Sequence, residues 1–124
     1  MADLFFWIYF VNAILLINHE IDSAYWKEWK LFKLPYGISG FLIFNIIIIT
    51  FFLYGMIQVY ENNSSGLIFS LLLSLTGIFA FIAHMYFIKK GNKEFTIPIS
   101  LAILGAIFIV SIIQFGITIS LFLK

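Results

Sequence analysis

The chain contains no cysteine, which excludes disulfides, thiolate metal sites and cysteine nucleophiles together and leaves the redox compartment open. Arginine is missing too, so all seven basic residues are lysines and the longest basic run is Lys89-Lys90; a nucleic-acid partner would need a denser basic footprint. Charge of either sign is scarce at 10% of residues, while 63% are hydrophobic, a balance outside that of soluble domains. The chain therefore reads as an integral membrane protein. Its 124 residues hold about four spans of about 20 residues each, with no room for a separate soluble domain. Residues 1–124 are expected to form a single transmembrane domain.

Apolar runs extend over Leu4 to Trp26, Ile38 to Tyr60, Leu67 to Ile88 and Ile97 to Leu123. They predict an all-α fold, an integral membrane four-helix bundle, with connections at Lys27 to Gly37, Glu61 to Gly66 and Lys89 to Thr96. Six of the seven lysines fall in the first and third connections (Lys27, Lys30, Lys33, Lys89, Lys90, Lys93) and none in the second. By the positive-inside rule, both termini lie outside and the first and third connections face the cytoplasm, as in a bacterial inner-membrane protein. The first run has no basic flank before it and no small-residue cleavage site after it, so it is expected to stay as a helix and not to act as a signal peptide. Trp26, Trp29 and Tyr36 near one boundary and Tyr60 near the other suit an aromatic belt.

Against this background the stretch Asn18-His19-Glu20-Ile21-Asp22 stands out, because each charge in apolar surroundings costs roughly 2.5 to 3.5 kcal/mol and is read first as a functional site. At 100 degrees per residue, Asn12, Ser23 and Trp26 lie within about 40 degrees of His19 and Asp22 within about 60, whereas Glu20 is about 100 degrees away on the flank. In the third run Ser70, Gly77 and His84 recur every seven residues with Ala80 between them, a stripe that lets helices approach closely. Ser100, Ser111, Gln114 and Thr118 share a face of the fourth run, and Asn45, with Thr50 and Gln58, adds polarity to the second. His84 precedes Lys89 by about 7.5 Å of helix rise and His19 precedes Lys27 by about 12 Å, so the two imidazoles sit at similar depth and can be neighbours.

The halves also echo each other. His19 is followed by Lys27-Glu28-Trp29 and Pro35, and His84 by Lys93-Glu94-Phe95 and Pro98, which suggests a parallel repeat of two helical hairpins about a pseudo-two-fold axis.

Two histidines with carboxylates at one level of a bundle form a donor set for a divalent metal, much as soluble carboxylate bundles hold iron. The spacing His19-x-x-Asp22 puts imidazole and carboxylate on one face. The metal-ligand candidates are His19, Glu20, Asp22, Glu28 and His84, and the suspected cofactor is a divalent transition metal, Zn, Fe or Mn. Lack of cysteine and few methionines argue against soft Cu(I). Two other readings stand beside it: a metal-free acid/base site with His19, Asp22 and His84 as catalytic groups, and a structural polar cluster that fastens helices. Taken singly, Glu28 and Glu94 read more simply as solvated charges beside lysine. Asn62-Asn63-Ser64 matches a glycosylation acceptor but reads more simply as a turn.

His19-Glu20-Ile21-Asp22 with Glu28-Trp29 downstream, then His84 and the run Gly91-Asn92-Lys93-Glu94-Phe95-Thr96-Ile97-Pro98-Ile99-Ser100, resembles a family of small bacterial four-helix membrane proteins known only as a domain of unknown function. More loosely the chain is similar to the membrane family named for an H-x-x-E-E motif, although Asp22 and Ser23 occupy the two acidic positions here. Neither resemblance implies an activity; a fainter likeness to sterol-isomerase-type bundles, in which His and acids shuttle protons beside a Trp, motivates the metal-free alternative.

The expected function is that of a membrane enzyme acting on a lipid or other apolar molecule. The competing class is a non-enzymatic conduit or an accessory subunit of a membrane complex. Gly40, Gly55, Gly105 and Gly116 offer either an outer face for a homo-oligomer or partner subunit, or close packing within the monomer.

Overall fold

Long runs of Leu, Ile and Phe leave the backbone no water to bond to in a bilayer, so it must satisfy its own N–H and C=O groups, and the helix does this within one segment. The computed structural model describes residues 2–124 and folds them into α1 (Ala2–Tyr25), α2 (Glu28–Leu31), α3 (Gly37–Tyr60), α4 (Ser65–Lys89) and α5 (Pro98–Phe122), with no strand among the described residues. The four long helices have 24 or 25 residues, about 36 Å of rise against a hydrocarbon core of about 30 Å. All four are long and apolar enough to cross a membrane. Their outer faces are built from side chains such as Ile46, Phe79 and Ile109, each more than 60% exposed. An apolar surface of that extent belongs in lipid.

The expected spans and the long helices agree to within a residue or two at most ends. The difference lies in the first connection, which carries the short helix α2 instead of a plain loop. Stops and starts follow local chemistry: Pro98 opens α5, where its missing N–H costs nothing, and Gly91 with φ 99° ends α4. In the second connection Asn63 Nδ2 and Ser65 Oγ both donate to Gln58 Oε1 at 2.8 Å. Asn62-Asn63-Ser64 is thus a clamped turn, and Gln58 serves it.

Each long helix packs against its chain neighbours, α5 closes back on α1, and α1 meets α4 across the diagonal while α3 and α5 stay apart. Close approach is set by glycine. A Cβ on Gly55 would fall 2.5 Å from the Tyr9 hydroxyl and 2.6 Å from Phe69, and one on Gly77 would overlap Ser111 Oγ. Gly105 and Gly116, by contrast, face open space. The apolar core joins Phe5, Tyr9, Ala13 and Leu16 of α1 to Phe52 and Val59 of α3 and Leu73 of α4, and the Tyr9 hydroxyl donates to the Phe52 carbonyl at 2.7 Å.

Beside this core runs a buried polar chain. Asn12 Nδ2 donates to Ser111 Oγ at 3.0 Å and to Gln114 Oε1 at 2.8 Å. Gln114 Nε2 donates in turn to Ser70 Oγ at 2.9 Å and to the Ser70 carbonyl at 3.1 Å, and Ser70 Oγ meets Thr118 Oγ1 at 2.8 Å. The stripes expected on the first, third and fourth spans therefore converge, and they fasten α1, α4 and α5 together.

Candidate functional site

Because α1 and α4 touch across the diagonal, their histidines meet. His19 and His84 are each 2% exposed, with ring centroids 4.6 Å apart and planes at 82°. The third member comes from α2. After Tyr25 the chain turns through Lys27 in the left-handed region, φ 55° and ψ 55°, so that α2 folds back under the bundle. Glu28 and Phe32, one helical turn apart, then face His84. Glu28 Oε2 lies 3.5 Å from His84 Nε2 and 3.8 Å from His19 Nε2, and the Phe32 ring is 5.7 Å from that of His84. Potential ligand atoms of His19, Glu28 and His84 all lie within 4.8 Å of one another.

The histidine orientation has a cause. His84 Nδ1 lies 2.7 Å from the Ala80 carbonyl, an acceptor that can only take a proton, so Nδ1 carries the hydrogen and Nε2 presents its lone pair toward Glu28. Ser23 Oγ donates to the His19 carbonyl at 2.8 Å and sits 3.5 Å from His19 Nε2. His84 Nε2, His19 Nδ1 and Glu28 Oε2 are buried with no hydrogen-bond partner. At 3.5 and 3.8 Å with no hydrogen bond formed, the contacts of Glu28 with the histidines leave room between the three groups. Burial pushes the Glu28 carboxyl up, but the neighbouring His84, the Ser23 hydroxyl and the charge of His19 outweigh it and hold the group below its ordinary value.

Phe95 lies over the trio. It is 1% exposed, its ring is 4.4 Å from His84 and 5.6 Å from His19, and its backbone has φ 68°. A bulky residue in that region costs of order 1 to 3 kcal/mol and persists only where its surroundings impose it.

Two imidazoles and a carboxylate can do two things. A tetrahedral ion with bonds of about 2.0 to 2.1 Å needs ligand atoms about 3.3 Å apart, so the contacts of 3.5 and 3.8 Å must close by a few tenths of an ångström, and the trio, whose ligand atoms lie within 4.8 Å of one another, by up to about 1.5 Å at its widest. Three protein ligands would leave a coordination position for water or substrate. Without a metal, the same set is a carboxylate placed to exchange a proton with either imidazole.

The fold brings together only part of the expected site. Asp22 spends one oxygen on Trp26, whose Nε1 donates to Oδ1 at 3.0 Å, and its Oδ2 is buried without a partner, as is Glu20 Oε2. Neither belongs to the group of converging ligand atoms. Glu94 stays in its connection, with Asn92 Nδ2 at 3.5 Å. The solvated-charge reading of Glu28 is overturned, since its side chain is 18% exposed and points between the histidines. Trp26, half-buried, lies 6.3 Å from Phe95 with ring planes tilted at 42°, whereas Tyr36 and Tyr60 are exposed. The sequence reading missed the cover supplied by Phe95 and Phe32; the one signal for it was that both aromatics lie within four residues of a Glu.

The chain belongs to DUF6713, a family of unknown function whose model matches residues 5–121 and so spans all three residues of the trio. No curated protein and no solved structure matches it.

Proposed function

We propose that the protein is a metal-dependent integral membrane protein, a single transmembrane domain in which His19, Glu28 and His84 hold one divalent ion, Zn, Fe or Mn. The observation that carries this reading is the convergence of His19, Glu28 and His84 between α1, α2 and α4, with one potential ligand atom from each within 4.8 Å of the others and with Glu28 Oε2 and His84 Nε2 buried and unpartnered. A buried polar atom without a partner costs roughly 1 to 3 kcal/mol, and a cation is the partner that two imidazoles and a carboxylate share. The His84–Ala80 bond supports it further, since a ligating histidine typically donates its other N–H to a carbonyl or carboxylate.

The open coordination position favours an enzyme whose substrate is a lipid or other apolar molecule reaching the ion from the bilayer. The lysine-rich end, which carries the trio, faces the cytoplasm and both termini lie outside, as the lysine bias supports; a bacterial inner membrane is the expected location. Asp22 and Glu20 serve as nearby carboxylates. Elemental analysis of protein purified without chelator is expected to give a single ion per chain. Absence of a stoichiometric metal, together with no thermal shift on adding Zn, Fe or Mn, would replace this reading with proton transfer between Glu28 and the imidazoles, for which their existing contacts are the support. A conduit is disfavoured, because the chain from Asn12 to Thr118 saturates its own hydrogen bonds. The open faces of Gly105 and Gly116 keep a homo-oligomer or an accessory role as the alternative.

A further inference from the structure

We propose that the cavity between the start of α2 and the connection before α5 binds the phosphate of an anionic phosphodiester lipid headgroup. The cavity encloses about 290 Å³ and is lined by Trp26, Lys27, Lys30, Leu31, Asn92 and Glu94. Its chemistry comes from the amphipathic split of α2. While Glu28 points inward to the histidines, Lys27 and Lys30, three residues apart, line the cavity instead. Neither ammonium has a carboxylate within 4 Å among the described residues, where the ion pairs are those of Glu28 with the histidines. Two unneutralised lysines lining one cavity make an anion site, and lysine serves phosphate as a point charge.

The location selects a lipid. Lys27 lies two residues beyond the span Asp3–Tyr25, at headgroup level, where juxtamembrane lysines attract anionic lipids. Trp26 and Leu31 give the cavity an apolar wall for the glycerol and the first chain carbons. Glu94 lines the same cavity, so two lysines against one carboxylate leave a single positive charge, which one phosphodiester neutralises. The cavity also adjoins the trio, because the Trp26 ring is 6.3 Å from Phe95 and Phe95 is 4.4 Å from His84. A lipid held here would lie two aromatic rings from the trio. The site goes beyond the metal reading and stands without it.

The test counts bound lipid. Full-length protein in neutral phosphatidylcholine nanodiscs doped with phosphatidylglycerol is released and its retained lipids are weighed by native mass spectrometry, with and without chelator. Wild type is expected to retain phosphatidylglycerol, and Lys27→Gln/Lys30→Gln to lose roughly tenfold or more in affinity. Lys33→Gln/Lys89→Gln, which removes the same charge from exposed positions at the same end, should stay within about twofold, the change expected if long-range charge matters little beside the site. Equal losses in the two lysine pairs, or displacement of the lipid by inorganic phosphate, would overturn the proposal. Either failure leaves the metal reading standing, because the same result must appear in chelator.

Discussion

Two buried polar clusters sit in one small bundle, and they differ in how completely they satisfy themselves. In the first, Asn12, Ser70, Ser111, Gln114 and Thr118 are 0 or 1% exposed, each is hydrogen-bonded to another member, and none contributes a fully buried unpartnered atom. It is neutral, closed and shared by three helices, which is what interhelical glue requires in lipid. In the second, His19 and His84 are about as deeply buried, yet they and Glu28 each keep an unpartnered atom, and Glu28 Oε2 and His84 Nε2 face each other at 3.5 Å. An unfinished network in hydrocarbon is costly unless something completes it. Burial and polarity do not separate structure from function in this protein; leftover bonding capacity does.

The largest effect is expected in the unfinished cluster. His84→Ala should take the metal content from a single ion per chain to none, and with it the metal-dependent stabilisation, about 3 kcal/mol at a hundredfold excess of ion over its dissociation constant. Thermal unfolding with and without metal reads this directly: a variant that still gains stability from metal would show that the trio is not the binding site.

Second comes the closed cluster. Gln114→Ala removes its bonds with Asn12 and Ser70, and at about 0.6 kcal/mol per interhelical bond in membranes the loss should be about 2 kcal/mol. Metal content should stay at wild-type level. Loss of metal on this substitution would mean that the two clusters are one coupled network and would dissolve the distinction between them.

Gly77→Ala probes the same seam more gently. Its Cβ would overlap Ser111 Oγ and approach Ile107, and overpacking of this kind costs about 1 to 3 kcal/mol. Adding Ser111→Ala removes the obstructing oxygen, so the double variant should recover part of the loss, a positive coupling that a cycle of unfolding measurements detects. Strict additivity would show that α4 and α5 do not approach here as described.

Much of this was legible in the sequence. Hydropathy gave the four long helices, and periodicity gave the inward stripes, because helix length and a 3.6-residue repeat are local properties. Depth counted from Lys27 and Lys89 gave the meeting of His19 with His84. The place of Glu28 was not legible, and the reason is backbone conformation. Its direction depends on Lys27 at φ 55°, and the cover over the trio depends on Phe95 at φ 68°. Sequence rules assign positive φ to glycine or asparagine, so a lysine and a phenylalanine in that region carry no signal. The two Lys-Glu-aromatic triplets consequently look alike and act differently: in Lys27-Glu28-Trp29 the acid reaches the histidines, and in Lys93-Glu94-Phe95 the aromatic does.

The smallest effect is expected where the sequence spacing and the fold disagree most. Asp22 is three residues from His19 and shares its helix face, so spacing alone makes it the partner of choice, whereas Glu28 lies nine residues away beyond a turn. In the fold Asp22 Oδ1 already accepts the Trp26 indole N–H, and its carboxylate is not among the converging ligand atoms. Asparagine keeps an oxygen that can accept that same bond, so Asp22→Asn should leave Trp26 in place and removes only a charge near the site. Metal should remain at a single ion per chain, with affinity reduced by less than about tenfold, the lower edge of what outer-shell partners contribute. Glu28→Gln takes the anionic ligand away and should reduce binding far more. Titration of both variants with Zn or Mn decides between them: if Asp22→Asn abolishes binding while Glu28→Gln keeps it, the ligand belongs to the helix face that holds His19, and α2 is a connection like any other.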